Sequence, residues 1–189
     1  MSRARLLQIV GAGRVLIGLN LEGVGLSATD LEGAFLRYAR LAGADLNHAE
    51  LTRANLFGAD LKNANLRGSY LFGCNLNYVD LRKASLRETD LDDARLCEAD
   101  LREADLTRAS LGGAKLGSTV LYAADLTGAW LRGADLRGAD LSGADLRRAN
   151  LRGATVSRAQ LQQADVLDDA VLPEGSCYRP GGQIDSGTP

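Results

Sequence analysis

The side chains able to do chemistry in this chain are few, and their spacing is unusual. His48 is the only histidine, and no second histidine or cysteine accompanies it at a metal-ligand spacing. Three cysteines, Cys74, Cys97 and Cys177, form no disulfide framework. The stretch VGAGRV at 10–15 holds two glycines of a phosphate-binding loop but lacks the third, and lacks the strand-to-helix setting that gives such loops their purpose. No serine, histidine and acid fall into a nucleophilic constellation. The carboxylates are the exception, because they recur at fixed distance: Asp60, Asp80, Asp100 and, past Val120, Asp140; likewise Asp105, Asp125, Asp145 and Asp165. Divalent cations need about six to eight oxygens closed into a cage, and a single row closes none. What these acids do depends on whether the fold stacks residues twenty apart.

The elements that must position them follow from one rhythm. Leucine falls on every fifth residue from Leu16 to Leu151, 28 times without a miss, and Val156, Leu161 and Val166 carry the count on. Two residues before the leucines stands a small residue, Ala34, Ala39, Ala44 and onward, relaxing to Ser69, Cys74, Val79, Thr89 and Thr119, with larger Leu19 and Val24 at the entry. On an α-helix five residues advance a side chain by roughly 140°, which scatters the leucines around every side. On a strand an odd spacing sends alternate leucines into water. Leucine and the residue two before it share one face of a short extended segment, so both point inward only if the chain turns a corner in each repeat. The second residue after the leucine is glycine in 13 of the 28 repeats, as a type II turn with positive φ at its third residue prefers. Where Arg53, Glu88, Glu98 or Arg108 stands there, a type I-like corner is expected. Short segments turning in one sense wind into a coil whose successive turns pair in parallel, about 4.8 Å apart.

Repeats such as ADLRG at 134–138, ADLSG at 139–143 and ANLRG at 149–153 resemble the pentapeptide-repeat proteins, with their A(D/N)LXX consensus. The resemblance covers residues 16–168. It implies an all-β fold, a right-handed quadrilateral parallel β-helix with four pentapeptides per coil, giving here seven to eight coils. The flanks GAGRVLIGLNL and DDAVLPEGS look like those of cyanobacterial members.

The sequence divides into an N-terminal cap at 1–15, with Ser2 capping a short helix through Leu6, Leu7, Ile9 and Val10 that stops at Gly11 and Gly13; the β-helix at 16–168; a C-terminal cap at 169–175; and a disordered tail at 176–189. Asp169 would fall on an inward position, which a core rejects, so the coil is expected to end near Val166. No apolar run is long enough for a membrane span, and the N-terminal apolar stretch is too short for a secretory core. A reduced, cytoplasmic setting is expected.

Net charge is −2, unevenly spread. Residues 1–20 carry Arg3, Arg5 and Arg14 and no acid; an acidic waist at 88–105 includes Asp90, Asp92, Asp93, Asp100 and Asp105; residues 132–158 are rich in arginine. The bland role for Asp or Asn beside a turn is to accept local backbone hydrogen bonds. Two outward aromatic groups stand out: Tyr38, Phe57, Tyr70, Phe72 and Tyr78 within neighbouring coils, and Trp130 alone among glycines. Clustered exposed rings suit a protein-binding patch, although rings also cover neighbouring strands. The reading is therefore a non-catalytic interaction scaffold for a protein partner, with no cofactor and no direct contact with nucleic acid or membrane, as a monomer or a dimer joined through the C-terminal cap. Some cyanobacterial members of the family regulate heterocyst differentiation by protein contact. Some bacterial members mimic DNA and bind DNA gyrase, which makes the acidic waist an alternative working surface, although basic residues interrupt every acidic row.

Overall fold

The computed structural model describes residues 17–179 and 183–185, so the expected helix at 1–15 and the VGAGRV stretch lie outside the described residues. The residue before each leucine forms a parallel bridge with its equivalent twenty positions on, as in Asp60↔Asp80↔Asp100 and Asn55↔Asn75. Each coil thus has four sides, numbered here by their bridging residues: face 1 through Asp60 and Asp80, face 2 through Asn65 and Ser85, face 3 through Tyr70 and Asp90, face 4 through Asn75 and Arg95. Faces 1 and 3 are opposite. The backbone closes its own accounts at every step: Leu61 N–H donates to Asp80 O at 2.8 Å, Asp80 N–H to Ala59 O at 3.0 Å, and Ala64 N–H back to Leu61 O at 3.0 Å.

That last bond defines a β-turn whose third residue must carry positive φ. It does so at every corner from Gly18 to Gly153, glycine or not, with φ between 50° and 72°. Arg53, Glu88, Glu98 and Arg108 sit at 57–58°, so the expected type I-like corner is corrected: a type II corner holds throughout. The stacked ladder over-determines the backbone and outweighs the roughly 1–2 kcal/mol that an L-residue loses in this region.

Leucines from Leu21 to Leu151 fill the bore at no more than 1% exposure, with the small residues between them. Inward polar groups find backbone partners: Ser69 Oγ donates to Leu66 O at 2.6 Å, Thr89 Oγ1 to Leu86 O at 2.7 Å, Thr119 Oγ1 to Leu96 O at 2.7 Å and Cys74 Sγ to Leu51 O at 2.7 Å. Burial pushes the Cys74 thiol up to about 12, which makes it inert at neutral pH.

The rhythm breaks after Thr155. A short helix α1 (Arg158–Leu161) opens on a Ser157–Gln160 capping box, and Gln160 Nε2 donates to Leu136 O at 2.7 Å and Ala139 O at 2.9 Å, capping carbonyls of the coil below. The helix uses one extra residue, so the bridges resume at an offset of twenty-one: Asp145↔Val166 and Asn150↔Val171. Val166 therefore lies in the outward row, where the five-residue count placed it inward, and Asp165 leaves the row of Asp105, Asp125 and Asp145. The same shift puts Asp169 on a corner at φ 59° and buries Ala170 and Leu172, so the coil runs past Val166. Beyond it, strands β1 (Cys177–Arg179) and β2 (Gln183–Asp185) form an antiparallel ribbon where the sequence suggested disorder. Cys177 bridges Val171 antiparallel, and Tyr178 exchanges hydrogen bonds with Asp169 and Ala170 while packing against the core. The last parallel edge is thereby covered.

Candidate functional site

With the bore packed solid, only the outer faces carry information. The six aromatic candidates separate into two groups. Tyr38, Phe57 and Tyr78 meet at the corner between faces 4 and 1: Tyr38 and Phe57 rings stand edge to face at 5.6 Å, and Phe57 and Tyr78 are tilted at 5.2 Å. The Arg37 guanidinium lies over both Tyr38 and Phe57, at 5.5 and 5.2 Å from their centroids. Gly58 makes this possible, because a Cβ there would meet the Tyr38 ring at 2.6 Å. Tyr78 Oη donates to Glu98 at 2.8 Å, which raises the phenol above its ordinary value. Tyr38 and Tyr78 are about half exposed. Tyr70, Phe72 and Trp130 belong to face 3, away from this corner; Tyr70 and Trp130 occupy one row with Asp90 and Ser110 between them. Sequence reasoning passed over Ile17, Phe35 and Tyr122, which are also exposed; Phe35 heads the face 4 row that leads to Asn55.

The five acidic candidates do not form one surface. Asp90, Asp92 and Asp93 lie on face 3 and its corner, Asp100 on face 1 and Asp105 on face 2. Asp100 is held by Arg102 at 2.5 Å and approached by Arg82 at 3.6 Å. Asp105 accepts from Thr107 and, at 3.2 Å, from Arg87. Burial works against ionisation at both, but these hydrogen bonds outweigh it and hold both carboxyls below the usual range. Asp90 Oδ1 accepts the Asp92 N–H at 3.0 Å, the local turn role, while Asp92 Oδ1 accepts the Ser110 hydroxyl at 2.6 Å and Gly112 N–H at 2.7 Å. His48 folds over Gly68 at an exposed corner, its Nδ1 3.3 Å from Gly68 O. Among the described residues no cluster of histidine, cysteine and acid has the spacing of a metal site. A depression of about 500 Å³ at the C-terminal end is lined by Leu161, Leu167, Leu172 and Tyr178 among others. Among the described residues no helix is long and apolar enough to cross a membrane.

The model of the family described as pentapeptide repeats matches in eight copies, over residues 26–63, 64–102, 99–138 and 131–166. The chain is a pentapeptide-repeat protein. The family so indicated is not an enzymatic one. Among solved pentapeptide-repeat structures, the chain is similar to HetL, a protein involved in heterocyst differentiation regulation from the cyanobacterium Nostoc sp. strain PCC 7120, at 32% identity over 94% of this chain and 100% of that one, with a TM-score of 0.43. It is similar to Rfr23 from the cyanobacterium Cyanothece 51142 at 29% identity, over 78% of this chain and 98% of that one, with a TM-score of 0.44. It also resembles QnrB1, a plasmid-mediated fluoroquinolone resistance protein, at 20% identity over 80% of this chain and 83% of that one, with a TM-score of 0.56, a likeness of fold alone. No curated protein matches the sequence. For this pentapeptide-repeat protein the outward positions on either side of the leucine and at the corner hold the aromatic corner and the charged rows.

Proposed function

We propose that this chain is a non-catalytic, protein-binding rod of the cytoplasm, a right-handed solenoid of seven to eight coils whose working surface is the Tyr38–Phe57–Tyr78 corner. The observation that carries the reading is the ring triad itself: Phe57 packed between Tyr38 and Tyr78, with an arginine stacked on two of the rings, displayed on a stacked backbone. Aromatic and arginine side chains at fixed positions lose little entropy on contact and dominate protein interfaces. Free thiols at Cys74, Cys97 and Cys177 agree with a reducing compartment. The alternative, a DNA-like decoy for a gyrase or other topoisomerase, has only the local patch of Asp90, Asp92 and Asp93 in its favour. A decoy needs a sustained negative field, whereas Asp80, Asp100, Asp105, Asp135 and Asp145 each carry an arginine of their own.

The test is affinity capture with the tagged full-length chain, comparing wild type, the Tyr38→Ala/Phe57→Ala/Tyr78→Ala variant and a Tyr70→Ala/Phe72→Ala control. The expected outcome is a specific protein retained by wild type and control and lost with the corner triad. A bound set identical across all three removes the corner from consideration.

A further inference from the structure

Face 3 carries charges that no ion pair within the rod neutralises. Asp90, Asp92 and Asp93 form no ion pair among the described residues, and neither do Arg132 and Arg152, in contrast to the closed pairs of face 1. Apart from Asp93 at the corner, these groups share two rows of stacked residues. One row reads Tyr70, Asp90, Ser110, Trp130, Asn150. The row beside it, by the same offset of twenty, reads Phe72, Asp92, Gly112, Arg132, Arg152. The sign of the charge inverts about the midpoint, the coil that holds Ser110, Gly112 and Gly113. At that midpoint Gly112 and Gly113 have no side chain, and the Asp92 and Asp93 carboxylates lie along the face over them.

We propose that face 3 binds a second copy of this chain, packed antiparallel about a two-fold axis crossing the rod at Ser110 and Gly112. A two-fold interface sets residue i against j and j against i. With the rods antiparallel, each row meets itself reversed. Asp92 then faces Arg132 of the second copy, about two coils or roughly 10 Å from its own Arg132. Trp130, 59% exposed, brings its indole N–H to the Asp90 carboxylate. Phe72 presents its ring to the Arg152 guanidinium, and Tyr70 meets Asn150. At the rim, Arg108 leans along the rod over Gly128, its Cγ 3.6 Å from where a Cβ would stand, toward the height at which the other copy holds Glu88. The parallel arrangement would bring the acids of both copies to one height and the arginines of both to another, so charge favours the antiparallel one. The contact covers about 20 Å of rod, which belongs to a weak, concentration-dependent dimer. It leaves the aromatic corner, across the coil from face 3, open on both copies, and so does not rest on the function proposed for that corner.

Sedimentation velocity on the full chain, from about 5 to 500 µM in low salt, tests this. Wild type is expected to shift from monomer to dimer across that range and to return to monomer as NaCl is raised. Arg132→Asp and Asp92→Arg should each weaken association at least about tenfold, whereas an equimolar mixture of the two single variants should dimerise again, because their reversed charges then face one another. Because Asp92 also holds Ser110 and Gly112, circular dichroism confirms that each variant is folded, and the mixture separates lost contact from lost structure. A wild type monomeric at every concentration, a dimer indifferent to both reversals, or a mixture no better than its components overturns the proposal. The Tyr38→Ala/Phe57→Ala/Tyr78→Ala variant should dimerise like wild type, so the two proposals fail separately.

Discussion

Faces 1 and 3 stand on opposite sides of one rod, over the same leucine bore, and dispose of their charges in different ways. On face 1 the ions interlock: Lys62 reaches Asp60 at 3.1 Å and Asp80 at 3.7 Å, Arg82 reaches Asp80 at 2.8 Å and Asp100 at 3.6 Å, and Arg102 closes on Asp100 at 2.5 Å. On face 3 Asp90 is followed two residues later by Asp92, and Trp130 by Arg132, so no such closure forms. The difference comes from the position after the leucine, in the same coil and in the coil beside it. A carboxylate before the leucine is neutralised when a basic residue follows the leucine, as in Asp135–Arg137 and Asp145–Arg147, or when one reaches it from the next coil, as Arg87 reaches Asp105; Asp90 has neither. In a stacked fold, the residue two along and its neighbour one coil away decide together whether an acid is internal mortar or outward signal.

The largest expected effect tests what the two faces share. Leu91 lies beneath face 3 and Leu101 beneath face 1, both fully buried. Leu91→Ala and Leu101→Ala should each cost roughly 2–5 kcal/mol, as cavities in a close-packed core do, and the two losses should agree. Urea unfolding of both variants measures this. A loss at one site far larger than at the other would place part of the difference between the faces in the core.

Much of this architecture was legible because leucine and its small companion leave one geometric solution. The corner glycines marked the turns. Two features escaped for physical reasons. Corner residues such as Arg53 and Glu98 look unsuited to positive φ, yet the ladder above and below fixes their backbone regardless of type. The end of the coil escaped because one residue inserted at α1 moves every later side chain by one position, and a count by fives cannot see an insertion that preserves apolar character at Leu161 and Val166. The interaction surface was legible only as a composition. Spacing by twenty grouped Tyr38 with Tyr78, but it took three-dimensional faces to separate Asp90 from Asp100 and to bring Phe72 and Trp130 onto one side.

A smaller effect sharpens the contrast between closed and open charges. Arg82→Met removes the cation shared by Asp80 and Asp100 and should lower the urea midpoint by about 0.1–0.3 M at low salt, the scale of a surface ion network. In about 1 M NaCl, where screening is nearly complete, that loss should largely vanish. Arg132→Met, measured at a concentration where the chain is monomeric, should leave the midpoint unchanged at both salts. Equal losses for the two variants would mean that Arg132 has an internal partner after all.

The smallest effect concerns pH. Two hydrogen bonds from Arg137, at 2.8 and 2.7 Å, hold the Asp135 carboxyl down to about 2. Asp80 and Asp100 are also lowered; burial opposes the shift, and the Arg82 and Arg102 hydrogen bonds outweigh it. A carboxyl depressed in the folded state binds protons less readily than in the unfolded chain, so its stabilisation is complete above about pH 4 and drains away as pH falls toward 2. Wild type should therefore lose stability steadily across that window. Arg137→Met restores Asp135 toward the ordinary range, so its midpoint should start lower at pH 6 and fall less steeply, approaching wild type near pH 2. Arg132→Met, whose arginine closes on no carboxylate within the coil, should follow the wild-type pH curve throughout. If the Arg137→Met curve instead ran parallel to wild type down to pH 2, the Asp-x-Arg closure would be a geometric coincidence with no energetic weight, and the distinction between the two faces would lose its physical basis.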